Sequence, residues 1–170
     1  MPYSPTSHVI LTSALVFAGL LFIIATSYYA GYVVDLRIEM ELRHTAYYIA
    51  NVAQQLYLVV NSSDFPTGPT ALTKALSIPA DIEGNLYSIE AEIQNAPQSP
   101  SIKSLTVTTS IINKPYLIGK ATVIIGDNVE WLNASRSISI SKRAMVLQIA
   151  VLKNQTDVTE PWMLQFSFQT

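Results

Sequence analysis

The sequence contains no cysteine. Disulfides, thiolate nucleophiles and cysteine-ligated zinc are therefore excluded. Charge is scarce too: 13% of the residues are charged and the formal net charge is −2. Ten Lys and Arg in 170 residues make a poor basic surface for displacing counterions, so nucleic acid is not an expected partner. Histidine occurs twice, at His8 and His44, and there is no H-E-x-x-H, G-x-S-x-G or Walker loop. A serine–histidine–aspartate arrangement would have to use one of those two histidines. Glu90 and Glu92 stand two apart, the pattern of a solvated strand face. Asp127, Asn128 and Glu130 bring oxygen ligands of the kind calcium takes, but their spacing fits no recognised calcium loop, and a hairpin turn is expected there. The expectation is a non-enzymatic chain with no cofactor and no metal.

What the chain has in abundance is apolar length. Its mean hydropathy is +0.30, and from Val9 to Val34 it reads VILTSALVFAGLLFIIATSYYAGYVV without one charge. A bilayer core of roughly 30 Å needs about 20 apolar residues as a helix, so this segment can cross one. Val9, Leu15, Phe17, Phe22 and Ile24 supply apolar bulk, while Gly19 leaves a site where another backbone can approach. Tyr28 and Tyr32, with Tyr29 between them, either mark a membrane–water interface or face a neighbouring helix. Ser7 is a candidate N-cap. With no basic residue before Arg37 and an apolar run too long for a signal peptide, the segment is expected to be retained.

Beyond Val34 the period remains helical. Ile38, Leu42, Ala46, Ile49, Ala53, Leu56 and Val60 recur at steps of three and four, an apolar stripe. Glu39 and Arg43 form an i, i+4 pair in the favourable order. No Gly or Pro interrupts Val33 to Asp64. One continuous helix to about Val60 is expected, some 75–80 Å long at 1.5 Å per residue. Its stripe packs on the chain's own C-terminal domain, on partner helices, or on both.

Asn61 to Pro69 is rich in turn formers, and Thr70 to Leu76 reads as one or two helical turns. From Asn85 the period becomes two. Tyr87, Ile89, Ala91 and Ile93 alternate with polar residues, as do Leu105, Val107 and Thr109, and then Ala121, Val123 and Ile125. Val129 and Trp131, Ile138 and Ile140, a nearly continuous run from Met145 to Leu152, and Leu164, Phe166 and Phe168 follow. Asn95 to Pro100 reads as an exposed loop. Six or seven strands at this spacing predict an antiparallel sandwich. The expected class is α+β: residues 1–60 a transmembrane or filament-core helix, 61–84 a connector, and 85–170 an immunoglobulin-like β-sandwich head. Asn61, Asn133 and Asn154 begin glycosylation acceptor patterns, which favour a C-terminal domain outside the cell.

Three stretches carry a family resemblance: SHVILTSALVFAGLLFIIATSYYAG, YYIANVAQQLYLVVNSS and SIPADIEGNLYSIE. Together with the layout they resemble the archaeal type IV pilin-like superfamily, which includes pilins, archaellins and the membrane-anchored F and G accessory proteins of the archaellum. The resemblance implies a cell-surface structural protein whose partners are copies of itself, membrane lipid at least transiently, and S-layer or other envelope proteins. It implies either a filament subunit or a single-pass anchor or stator. One departure bears on maturation. Pro5-Thr6-Ser7-His8 occupies the place where pilins of this superfamily carry a basic residue and glycine for cleavage. No glutamate stands near the start of the helix.

Overall fold

The computed structural model describes residues 5–62, 71–96, 99–131, 137–140, 148–154 and 163–169. Contacts divide the chain into two compact units, Met1–Arg37 and Ile38–Thr170. The division falls inside a single helix, α1 (Pro5–Asn61). Ser7 therefore lies inside the first turn and is not the N-cap.

Eight strands follow among the described residues: β1 (Ala71–Ala75), β2 (Tyr87–Ala96), β3 (Ser99–Ile111), β4 (Lys114–Gly126), β5 (Val129–Trp131), β6 (Ser137–Ile140), β7 (Gln148–Asn154) and β8 (Met163–Gln169). They form two four-stranded sheets, in the orders β1-β7-β8-β5 and β4-β3-β2-β6. Four expectations need amending. Ala71–Ala75 is not helical but pairs antiparallel with β7, because a neighbouring strand with an open edge outweighs the helix propensity of five residues. The Asn95–Pro100 loop is largely strand: β2 runs through Ala96 and β3 begins at Ser99. Gly126-Asp127-Asn128 is no hairpin turn, since β4 and β5 belong to different sheets; it is a corner that passes the chain between them. The sheets are also not purely antiparallel, because β5 pairs parallel with β8. The described strands thus form two separate, mainly antiparallel sheets, with a helix that joins their core.

The helical seam from Ile38 to Val60 lies in that core. Ile38, Leu42, Ala46, Ile49, Ala53, Leu56 and Val60 are all buried. They share one apolar cluster with Tyr87, Ile89, Leu105, Val107, Ala121 and Val123, and with Val129, Ile149 and Val151 of the other sheet. Sheet alternation accounts for the split: along β4, Leu117, Gly119, Ala121, Val123 and Ile125 are buried while Tyr116, Ile118, Lys120, Thr122 and Ile124 are exposed.

The helix and β4 run side by side in the same direction. A methyl group on Gly119 would touch the backbone of Leu42 and Arg43. Further along, Gln54 Nε2 donates to the Ile124 carbonyl at 3.1 Å. Tyr57 lies over Gly126. From Leu42 to Tyr57 a helix rises about 22 Å; from Gly119 to Gly126 a strand advances about 23 Å. The two spans match, so the contact is continuous. Thr109 Oγ1 fastens it by donating to the Leu42 carbonyl at 2.9 Å. At the far end, the buried Lys153 of β7 donates to the Ser62 carbonyl at 3.2 Å. That ammonium supplies the positive charge that the last helical turn lacks.

Pro79 to Ile89 sets the start of β2. Glu83 and Gly84 both have positive φ, 49° and 75°, and Ile82 bridges Asn85, as in a type I′ turn. Gly84 N donates to Asp81 Oδ1 at 3.0 Å. Tyr87 is fully buried, and its hydroxyl donates to the Pro79 carbonyl at 2.6 Å. Burial, and secondarily the Asp81 carboxylate, push the Tyr87 phenol up to about 12 from 10.0. The folded state therefore binds this proton more tightly than the unfolded chain. Its contribution is complete below pH 10 and is lost as pH rises towards 12. Tyr87→Phe is expected to lack this loss, so urea unfolding of the two proteins at pH 9 and pH 11.5 should show a smaller stability drop in the variant. An equal drop in both would place the titration elsewhere.

Candidate membrane and assembly interface

From Val9 to Ile24 the helix surface of the first unit is apolar on every side. Val9, Leu15, Phe17, Phe22 and Ile24 are exposed, as are Ile10, Leu11, Leu20, Leu21 and Ile23. The segment lies in a helix long and apolar enough to cross a membrane, and none of its most apolar window is buried. An apolar surface that encircles a helix has no favourable state in water.

Three of its hydroxyls, those of Thr12, Ser13 and Thr26, are turned onto the helix backbone. Ser13 Oγ donates to the Val9 carbonyl at 2.8 Å. Thr26 Oγ1 lies 2.9 Å from the Phe22 carbonyl and 3.0 Å from that of Ile23. Thr12 Oγ1 donates to the His8 carbonyl. A hydroxyl bonded to its own helix needs no water and no external partner, the arrangement a hydrocarbon environment demands. Gly19 and Gly31 have open space where a Cβ would stand. Tyr28, Tyr29 and Tyr32 are well exposed near the end of the apolar run. Ser27, Tyr28, Gly31, Tyr32 and Asp35 line a shallow notch on the helix surface.

In the second unit the helix carries an outer face as well. Met40, Tyr47 and Leu58 are 65%, 56% and 63% exposed. Their spacings of seven and eleven residues return to the same side of a 3.6-residue helix, so the three share a stripe facing away from the buried seam. Arg43 and Glu39 form a 3.4 Å ion pair beside it, worth about 0.3–0.5 kcal/mol at such exposure. In the sequence this outer stripe is masked by the stronger seam of Ile38 to Val60. Its signal was the out-of-phase apolar residues themselves.

The remaining sequence candidates are dispersed. His8 and His44 are both exposed on α1. Glu90 and Glu92 sit on the exposed face of β2. Among the described residues no three His, Cys, Asp or Glu side chains gather where they could hold a metal ion. Tyr57, near the Asp127 corner, has its phenol pushed up by burial and then by that carboxylate. Asn61 is the last residue of α1 and Asn154 the last of β7; Asn133 lies outside the described residues. Comparison with protein-family models, with curated proteins and with solved structures finds no match.

Proposed function

We propose that this chain is a non-enzymatic structural subunit of a surface filament of the type IV pilin-like kind. The apolar helix forms the filament core with its copies, and the β head stands outside. The observation that supports this best is the exposed stripe of Met40, Tyr47 and Leu58. Val9 to Val34 alone extends about 39 Å as a helix, which already exceeds a bilayer core of roughly 30 Å. Lipid therefore does not cover a stripe that begins six residues later and runs on to Leu58. Copies of the same helix would cover it, and burying it would contribute about 25 cal/mol per Å² removed from water.

The experiment is a double substitution, Tyr47→Asp with Leu58→Asp, made in the cells that produce the protein. Both side chains are exposed, so the head should fold as before. Filament yield is expected to collapse while the chain accumulates in the membrane. Unchanged filament yield would remove the stripe from the assembly.

A second reading is a single-pass anchor or stator whose external head binds S-layer or other envelope proteins. The self-satisfied hydroxyls of Thr12, Ser13 and Thr26 favour it, since they suit a helix surrounded by lipid alone. Both readings place the apolar segment in a membrane at some stage and the C-terminal domain on the outer side.

A further inference from the structure

Among the described residues of the β head, the exposed large apolar side chains fall into two groups, Ile102 and Ile124 toward the Gly126 end of β4 and four others at its opposite end. Leu86, Ile112, Tyr116 and Ile118 are 43%, 46%, 67% and 44% exposed, and they converge on one end of the β4-β3-β2-β6 sheet. Ile112 N donates to the Leu86 carbonyl at 3.1 Å, joining the β3–β4 turn to the start of β2. Ile118 pairs with Ser110, which pairs with Ser88. Tyr116 precedes Ile118 by two on the same strand and so shares its face. The four residues therefore form one apolar patch across three strands, on the face opposite the buried core.

The location of this end is settled by the helix. Since α1 and β4 run in the same direction, with Leu42 beside Gly119 and Tyr57 beside Gly126, the Lys114–Ile118 end of β4 lies on the Ile38 side of the head. Ile38 follows Val34, the last residue of the uncharged segment, by four positions. Four residues reach at most about 14 Å even when fully extended. Chain connectivity alone therefore keeps Ile38 within that distance of the end of the uncharged segment. Tyrosine beside isoleucine and leucine is the composition of a membrane–water boundary, where a ring can bury its apolar body and keep its hydroxyl wet. Lys120 is exposed on the same strand and can keep its ammonium at phosphate level while its stem lies along the patch. The carboxylate of Glu90 lies in the same row of the sheet, through Thr108. The surface is thus mixed in charge and matches a zwitterionic interface rather than an anionic one.

We infer that Leu86, Ile112, Tyr116 and Ile118 form a second, shallow membrane contact that seats the head on the bilayer at the end of the helix. The contact rests on the membrane placement of Val9–Val34 and is independent of filament assembly. It holds this end of the head against the bilayer while the chain resides in the membrane.

The absence of cysteine makes the test direct. Single substitutions Ile112→Cys, Tyr116→Cys, Ile124→Cys and Phe22→Cys are each labelled with a nitroxide in the full chain, reconstituted in phosphatidylcholine vesicles. Collision with oxygen, which concentrates in lipid, is compared with collision with a water-soluble nickel chelate. Ile124 is the control for exposure, because it is on the same strand face about 20–26 Å from the patch. Labels at 112 and 116 are expected to show an oxygen-to-nickel ratio several-fold above that at 124, with the label at 22 deepest of all. Ratios at 112 and 116 equal to that at 124, with 22 still deep, would overturn the contact and leave the membrane segment standing. Labels at 112 and 116 shielded from both agents would also overturn it, by showing a protein neighbour in place of lipid. A water-exposed label at 22 would refute the membrane placement itself, and the contact with it.

Discussion

Replacing Gly119 with valine is expected to abolish stable folding of the head, and alanine to weaken it by about 3 kcal/mol or more. A Cβ at this position would stand 2.3 Å from Arg43 N and from Leu42 C, and 2.6 Å from Leu42 O. All three are backbone atoms, so no side chain can swing aside. Relief requires the helix to lift from β4 along a contact that also carries the Thr109 bond to Leu42. Small-to-large changes in well-packed cores usually cost about 1–3 kcal/mol, and a domain has only about 5–15 kcal/mol in total. Urea unfolding of Gly119→Ala should show the midpoint shifted downward with an unchanged slope. Gly19→Ala, where nothing lies within 4 Å, should leave head stability unaltered. If Gly119→Ala unfolded at the same urea concentration as the parent protein, the close approach of α1 to β4 would be wrong.

The second large effect concerns the apolar segment. Leu21 and Phe22 lie at its midpoint and are 65% and 70% exposed. Aspartate at the centre of a membrane helix costs about 2.5–3.5 kcal/mol per residue. Leu21→Asp with Phe22→Asp is therefore expected to cost about 6 kcal/mol of insertion free energy, enough to move the chain from the carbonate-resistant membrane fraction to the soluble one. The head should retain its circular dichroism signature, because its core is built from Ile38 onward. Full retention in the membrane fraction would mean that lipid is not what surrounds this segment.

These two outcomes bear on different amounts of sequence information. The apolar segment and the seam from Ile38 to Val60 could be read directly, because a helix imposes one period on adjacent residues and nothing distant is needed to see it. The partner of that seam could not. The same spacing serves a neighbouring helix or the chain's own sheet, and the deciding feature is a hydrogen atom in place of a methyl group at Gly119, far away in sequence. The long strands of the β4-β3-β2-β6 sheet were legible for the same local reason: Tyr87 to Ile93 and Leu105 to Thr109 alternate without interruption. Ala71–Ala75 was not, since ALTKA has helix-forming residues and becomes a strand through its pairing with β7. The Asp127 corner was misjudged because turn residues announce a reversal of the chain without saying whether the next strand returns to the same sheet. The parallel pairing of β5 with β8 is likewise a long-range choice with no local mark. Of the interface, the stripe of Met40, Tyr47 and Leu58 was present in the sequence but became visible only once the opposite face was known to be buried.

The central claim is that copies of this chain assemble through their helices into a surface filament. The most direct measurement is electron microscopy of filaments sheared from the cells that make the protein, with mass spectrometry of the sheared material. The account predicts filaments in which this chain is a principal component. Finding the chain only in the membrane fraction, absent from every filament, would contradict that claim and leave a single-pass anchor in its place.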